Sequence, residues 1–224
     1  MTAMNVLVTD DRVWIAQDHA VYRTDSLPTQ DTTAADYALR PELLAESEKI
    51  AVFPDNGLLV GSVGNVLYAH AWLETVETMG YGIDTLTEIA PEVLRGLLRD
   101  HPVPTAELRV VHAGYSPKHG KVIGVLHDWE HDFEPTTLPA GSILHQPQLD
   151  GDAPGADQLN ALGARAEHGE NVEALFEAMF ANQKWQGDNR RLRAGVLLSD
   201  DYTLASVDAD GARLVQGVEA AAVA

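Results

Sequence analysis

The 224-residue chain contains no cysteine, so no thiol nucleophile, disulfide or thiolate metal site is available to it. Among its hydroxyls, that of Thr2 is unusual in following Met1 directly. A threonine Oγ attacks a carbonyl poorly until a base takes its proton. Once Met1 is removed, the α-amino group of Thr2, with an ordinary pKa of about 7.7–8.0, can be that base at neutral pH. Methionine followed by a small residue is also a commonplace start, so position alone does not make Thr2 a catalyst. Lysine is scarce, being confined to Lys49, Lys118, Lys121 and Lys184, and Lys49 opens an apolar strand-like run, an unusual place for an ammonium group. The stretch from His127 to Asp132 invites a metal reading. It has strand and turn character, however, and in a strand His127 and His131 stand about 13 Å apart, too far to share one ion. A solvated loop is the expectation there, and neither metal nor cofactor is expected.

Composition narrows the classes. A formal charge of −19 repels nucleic acid backbones and anionic lipid, so neither is expected as a partner. No apolar run reaches the ~18–20 residues of a membrane span. The N-terminus lacks a basic region and a cleavage box, and a cytoplasmic location is the default expectation. The length suits a single domain over 1–224 with a sizeable core.

Periodicity supplies the elements. Strands are expected over 5–9 and 12–18, forming a hairpin turned at Asp10-Asp11. A long polar loop over 23–47 carries a short helix near 41–47. Strands follow over 49–53 and 58–63, turned at Pro54-Asp55-Asn56-Gly57. Helical spacing covers 65–79 and about 86–99, with Pro91 near the first turn of the second helix. Further strands are expected over 107–115 and 121–129 and somewhere in 133–144. One or two helices span 156–185, with Gly169 as a possible break. The chain closes with a hairpin of 192–198 and 202–208, then a tail. Segregated runs of strands and helices favour α+β layering: two antiparallel sheets face to face, with helices on both outer faces, a four-layer αββα sandwich.

This element order resembles the proteasome-like Ntn-hydrolase family, whose members open with a threonine and place an aspartate sixteen residues later. Asp18 stands at that interval from Thr2, and Val13-Trp14-Ile15-Ala16-Gln17-Asp18 is similar to the family's second strand. The family's strand-opening lysine is matched by Lys49-Ile50. Its oxyanion-hole glycine, about twelve residues on, is matched by Gly61, and a Gly-Ser pair after the seventh strand by Gly141-Ser142. The Met-Thr start is similar to that of the Anbu branch. Two features depart from the pattern. The interval from Asp18 to Lys49 is longer by roughly fifteen residues, and the late aspartate and Ser-Gly-Gly signature has no clear counterpart in 181–193, where Asn182, Gln183 or Asp188 could stand in.

The resemblance implies an N-terminal threonine amide hydrolase, a peptidase subunit assembling into rings or stacks. In it Thr2 attacks, Lys49 and Asp18 tune the nucleophile, Gly61 holds the oxyanion, and Ser142 helps position the amine. Two other readings stay open: a ring subunit without activity, and an Ntn amidohydrolase acting on a small amide. The sequence names no ATPase partner and no particular substrate.

Overall fold

The computed structural model describes residues 3–22, 43–46, 49–100, 102, 107–188, 198–199 and 201–216. Thr2, most of the long polar loop and the first strand of the expected closing hairpin lie outside them.

The apolar run at the amino end forms β1 (Met4–Val8), which pairs with β2 (Val13–Asp18) in the expected hairpin. Two short strands follow, β3 (Ala20–Tyr22) and β4 (Leu43–Glu46), paired antiparallel as a separate ribbon. The expected helix near 41–47 is thus replaced by a strand. Leu43-Leu44-Ala45-Glu46 has good helix formers, but pairing with β3 overrides local propensity. Next come β5 (Ile50–Phe53), a 3₁₀ turn at Pro54–Asn56 and β6 (Leu58–Gly64). Helix α1 (Val66–Met79) is started by the Asn65 side chain, which accepts the Leu67 N–H at 3.0 Å, and stopped by left-handed Gly80. Helix α2 (Ile83–Asp100) begins earlier than its apolar spacing implied, so Pro91 falls inside it rather than in its first turn.

The second half contains β7 (Leu108–Ser116), β8 (Lys121–Asp128), β9 (Thr136–Leu138) and β10 (Ile143–Gln146). The single strand expected in 133–144 is therefore two, and they belong to different sheets. Helices α3 (Ala156–Ala166) and α4 (Val172–Asp188) are parted at left-handed Gly169. Strands β11 (Tyr202–Asp208) and β12 (Gly211–Gln216) form the closing hairpin among the described residues; β12 was not expected, and the expected tail over 218–224 lies outside them.

Sheet one has the order β10-β1-β2-β11-β12 and sheet two β5-β6-β7-β8-β9; every pairing is antiparallel. Three apolar layers hold the stack together. Met4, Val6, Val13 and Ile15 meet Leu59, Val63 and Val111 between the sheets. Trp72, Val76, Leu86 and Leu94 of α1 and α2 cover the outer face of sheet two. Leu175, Phe176 and Met179 of α4 cover sheet one at Ala3, Leu7 and Ala16. Alternation along β1 explains this sharing: Met4, Val6 and Val8 face the other sheet, while Ala3 and Leu7 face α4. The αββα sandwich expected from the element order is the observed architecture.

Candidate active site

The carboxylate of Asp18, fully buried at the end of β2, accepts the Ala3 N–H on Oδ1 at 2.8 Å. The same residue's N–H donates to Ala3 O at 3.2 Å, so Ala3 is held through both backbone groups. The amide nitrogen that Asp18 grips is the one joining Ala3 to Thr2. Lys49, only 4% exposed just ahead of β5, brings Nζ to 3.9 Å from the same Oδ1 and donates to Ala20 O at 2.6 Å. Burial pushes the Asp18 carboxyl upward, and the Lys49 ammonium and the Ala3 N–H oppose that push. Burial pushes Lys49 downward against the pull of Asp18. Each charge offsets part of the cost of burying the other.

Gln17 and Ser62 join this corner to sheet two. The Gln17 side-chain amide donates to Ser62 O and accepts the Ser62 N–H at 3.4 Å. The Ser62 N–H also reaches Lys49 O at 3.2 Å across the β5–β6 ladder. The strand end carrying Lys49 is therefore tied to the strand end carrying Asp18.

The ladder decides which glycine can present a free N–H. Asn65 donates to Glu107 O at 2.9 Å. By the alternation of an antiparallel ladder, Gly61, opposite Val111, is hydrogen-bonded to β7 as well. The expected role of Gly61 in an oxyanion hole is corrected on this ground, because its N–H is spent inside the sheet. Its lack of a side chain serves packing instead: a Cβ there would lie 2.9 Å from Ile15 Cγ2. Gly64, at the end of β6, turns its N–H the other way, toward the side where Lys49 lies. The pairing of this edge runs through Ile50 opposite Gly61 and Lys49 opposite Ser62, and the position opposite Gly64 lies outside the described residues. Its φ is +123°, and a Cβ would come within 2.1 Å of Glu107 O, so only glycine fits. The signal for Gly64 was present in the sequence as Gly64-Asn65, a helix start directly after a strand.

Ser142 is also corrected. Its carbonyl accepts the Val8 N–H at 3.0 Å, which puts it at the far end of β1 from Ala3, about 17 Å away at strand spacing. The segment beside Ala3 is instead the one after Gln146, since Gln146 pairs with Met4. Helix α4 holds that segment: Gln183 donates to Pro147 O at 2.8 Å and exchanges amide bonds with Asn5, Gln186 donates to Gln148 O, and Asn182 clasps both backbone groups of Asp150. Asn182 and Gln183 are thus committed to backbone contacts under sheet one. Arg109, which sequence reasoning missed, braces the two sheets. Its guanidinium donates to Asp128, Gln146 and Glu130, each at 2.7 Å.

The arrangement has solved counterparts. The chain superposes on Anbu, described as an ancestral β-subunit, from Yersinia bercovieri with a TM-score of 0.58 at 10% identity, over 96% of this chain and 87% of that one. A mutant form of Anbu from Hyphomicrobium sp. strain MC1 superposes with a TM-score of 0.57 at 9% identity, over 96% and 86%. The fold is proteasome-like. No family model and no curated sequence matches the chain. Among the described residues, no helix is long and apolar enough to cross a membrane.

Proposed function

We propose that the chain is an N-terminal threonine amide hydrolase, a proteasome-like peptidase subunit that acts after Met1 is removed. The observation that carries this reading is the grip of Asp18 on the Ala3 N–H, with Lys49 Nζ 3.9 Å from the same carboxylate oxygen. A chain end with no chemical role has no need of a buried ion pair. In the reaction the Thr2 hydroxyl attacks the amide carbon and its proton passes to the Thr2 α-amine. The nearby ammonium of Lys49 favours the alkoxide, and the Gly64 N–H faces the oxygen that becomes negative. Collapse of the tetrahedral adduct breaks the C–N bond, and the amine leaves with the proton. Water then hydrolyses the ester and restores Thr2. Self-assembly into rings or stacks belongs to the same reading, supported by the likeness to Anbu.

A second reading, a proteasome-like ring subunit without activity, is favoured by one feature. Asn182 and Gln183, two of the three residues that could have replaced the family's late aspartate, are engaged with Asp150, Pro147 and Asn5, and the side chain of the third, Asp188, lies outside the described residues. Intact mass and electrophile labelling decide between the two. The hydrolase reading expects loss of Met1 and a covalent adduct on Thr2 from a peptide epoxyketone or boronate, absent in Thr2→Ala. A retained Met1, or no adduct on the processed protein, leaves the inactive subunit.

A further inference from the structure

Two strand triplets face each other at the candidate site, β2-β1-β10 in one sheet and β5-β6-β7 in the other. Lys49 and Asp18 lie on the β5 and β2 side. On the opposite side, toward β7 and β10, is a cavity of about 180 Å³ lined by Gly64, Glu107, Arg109, Trp129, Glu130 and Gln146. An amide held at Gly64 has one flank toward Lys49 and the other toward this cavity.

An arginine in such a cavity ordinarily suggests an anion site, but each nitrogen of Arg109 already donates, to Asp128, Gln146 and Glu130. Arg109 keeps two further N–H groups, but an incoming anion would meet the carboxylates that already bind the guanidinium. Asp128 and Glu130 bind this one guanidinium and Glu107 lines the same cavity, so three carboxylates stand against one arginine and the neighbourhood is two charges negative. The Trp129 indole, 39% exposed, stands at the rim beside Glu130. Glu107, a carboxylate that Arg109 does not engage, next to an accessible indole suits an ammonium or guanidinium group. The charge of −19 on the whole chain attracts cations over a longer range.

We propose that this cavity is a specificity subsite, taking a lysine- or arginine-like cation on the flank of the scissile amide remote from Lys49. The inference rests on the hydrolase reading for its role, and on the cavity alone for the binding of a cation.

Two measurements on the full-length protein with its processed N-terminus test it. The first compares fluorogenic peptides that carry lysine, norleucine or glutamate at one flank of the scissile bond and then at the other. At one flank, lysine should exceed uncharged norleucine by about tenfold in kcat/KM, the scale of one partly desolvated cation contact. The double substitution E107Q/E130Q should bring that ratio to about one, and E107Q alone, which leaves every bond of Arg109 in place, should lower it about threefold. The second titrates agmatine against tryptophan fluorescence. A saturable change is expected in the wild type, and it should be lost in Trp129→Phe and weakened in E107Q. Hydrolysis with no lysine preference at either flank and no agmatine binding overturns the subsite and leaves the hydrolase reading intact. Agmatine binding that depends on Glu107, with no hydrolysis of any peptide, overturns the hydrolase reading and supports the cation site. Failure of both overturns both.

Discussion

Removing one member of the Asp18–Lys49 pair strands the other charge in a site almost without solvent, and the cost of that has a calculable ceiling. The carboxylate of Asp18 is fully buried, Lys49 is 4% exposed, and 3.9 Å separates Nζ from Oδ1. In Asp18→Asn the amide oxygen can still accept the Ala3 N–H, while the bond from the Ala20 N–H to Oδ2 at 3.3 Å is lost with the charge. The buried ammonium, having lost the charge of Asp18, can shed its proton, and at pH 7.5 this costs at most about 4 kcal/mol, the free-energy equivalent of about three pKa units. In Lys49→Met the carboxylate escapes by gaining a proton, at a ceiling of about 5 kcal/mol at the same pH, and Ala20 O also loses its donor. Measured losses for broken buried pairs, roughly 3–5 kcal/mol, fall in this range. The two penalties run oppositely with pH. In Lys49→Met the folded-state pKa of Asp18 is raised above its unfolded value, so the penalty shrinks as pH falls, to about 2 kcal/mol at pH 5.5. In Asp18→Asn the folded-state pKa of Lys49 is lowered, so the penalty shrinks as pH rises, to about 2 kcal/mol at pH 9. The double variant has no charge to strand and should lose several kcal/mol less than the sum of the singles. Urea unfolding followed by circular dichroism at pH 5.5, 7.5 and 9, at one protein concentration, reads all three curves. Additive, pH-independent losses below about 1 kcal/mol would mean that these groups are solvated, and both the pair and the anchoring of Ala3 would fall with that result.

Three further predictions concern the surrounding fold. Gly64→Ala places a methyl group 2.1 Å from backbone Glu107 O at φ +123°, whereas Gly61→Ala meets the flexible Ile15 side chain at 2.9 Å; the first should cost at least about 3 kcal/mol and the second about 1–2 kcal/mol in thermal unfolding, and the reverse order would contradict the assigned positions. His112 and His127 are fully buried with ring centroids 4.9 Å apart; His112 accepts the Trp72 indole N–H at 3.0 Å, and burial drives its pKa well below the ordinary value. Burial also lowers His127, so both titrate more readily when unfolded, and stability should be complete above about pH 7 and fall below about pH 6.5, by at most about 1.4 kcal/mol per pH unit for each histidine still neutral in the fold; His112→Gln should make that fall shallower in a pH series of urea midpoints. Gln183→Leu deprives Asn5 and Pro147 O of their partners and should cost about 2–4 kcal/mol by the same unfolding assay; a loss under about 0.5 kcal/mol would show that the amide cluster does not hold the 147–150 segment.

Periodicity along the chain determined a good deal of this protein. The β1–β2 hairpin, the helical stripe of α1 with its Asn65 cap, and the layering into two sheets between helices all follow from alternation, turn residues and the order of elements, which are local properties. Asp18 and Lys49 were also legible, one at the end of a hairpin strand and the other opening an apolar strand. The tertiary structure decided whatever depends on register or apposition. Gly61 and Gly64 stand three residues apart in the same strand, and only the ladder to β7 determines which N–H is spent in it and which points away from it. Ser142 looked equivalent to a site residue until β10 was paired with β1, a choice that placed it at the wrong end of the strand. The strand character of 43–46, and the bond from Arg109 to Gln146, arise between segments distant in sequence. Their energies belong to pairs of segments brought face to face, and no single segment carries the pattern of its partner.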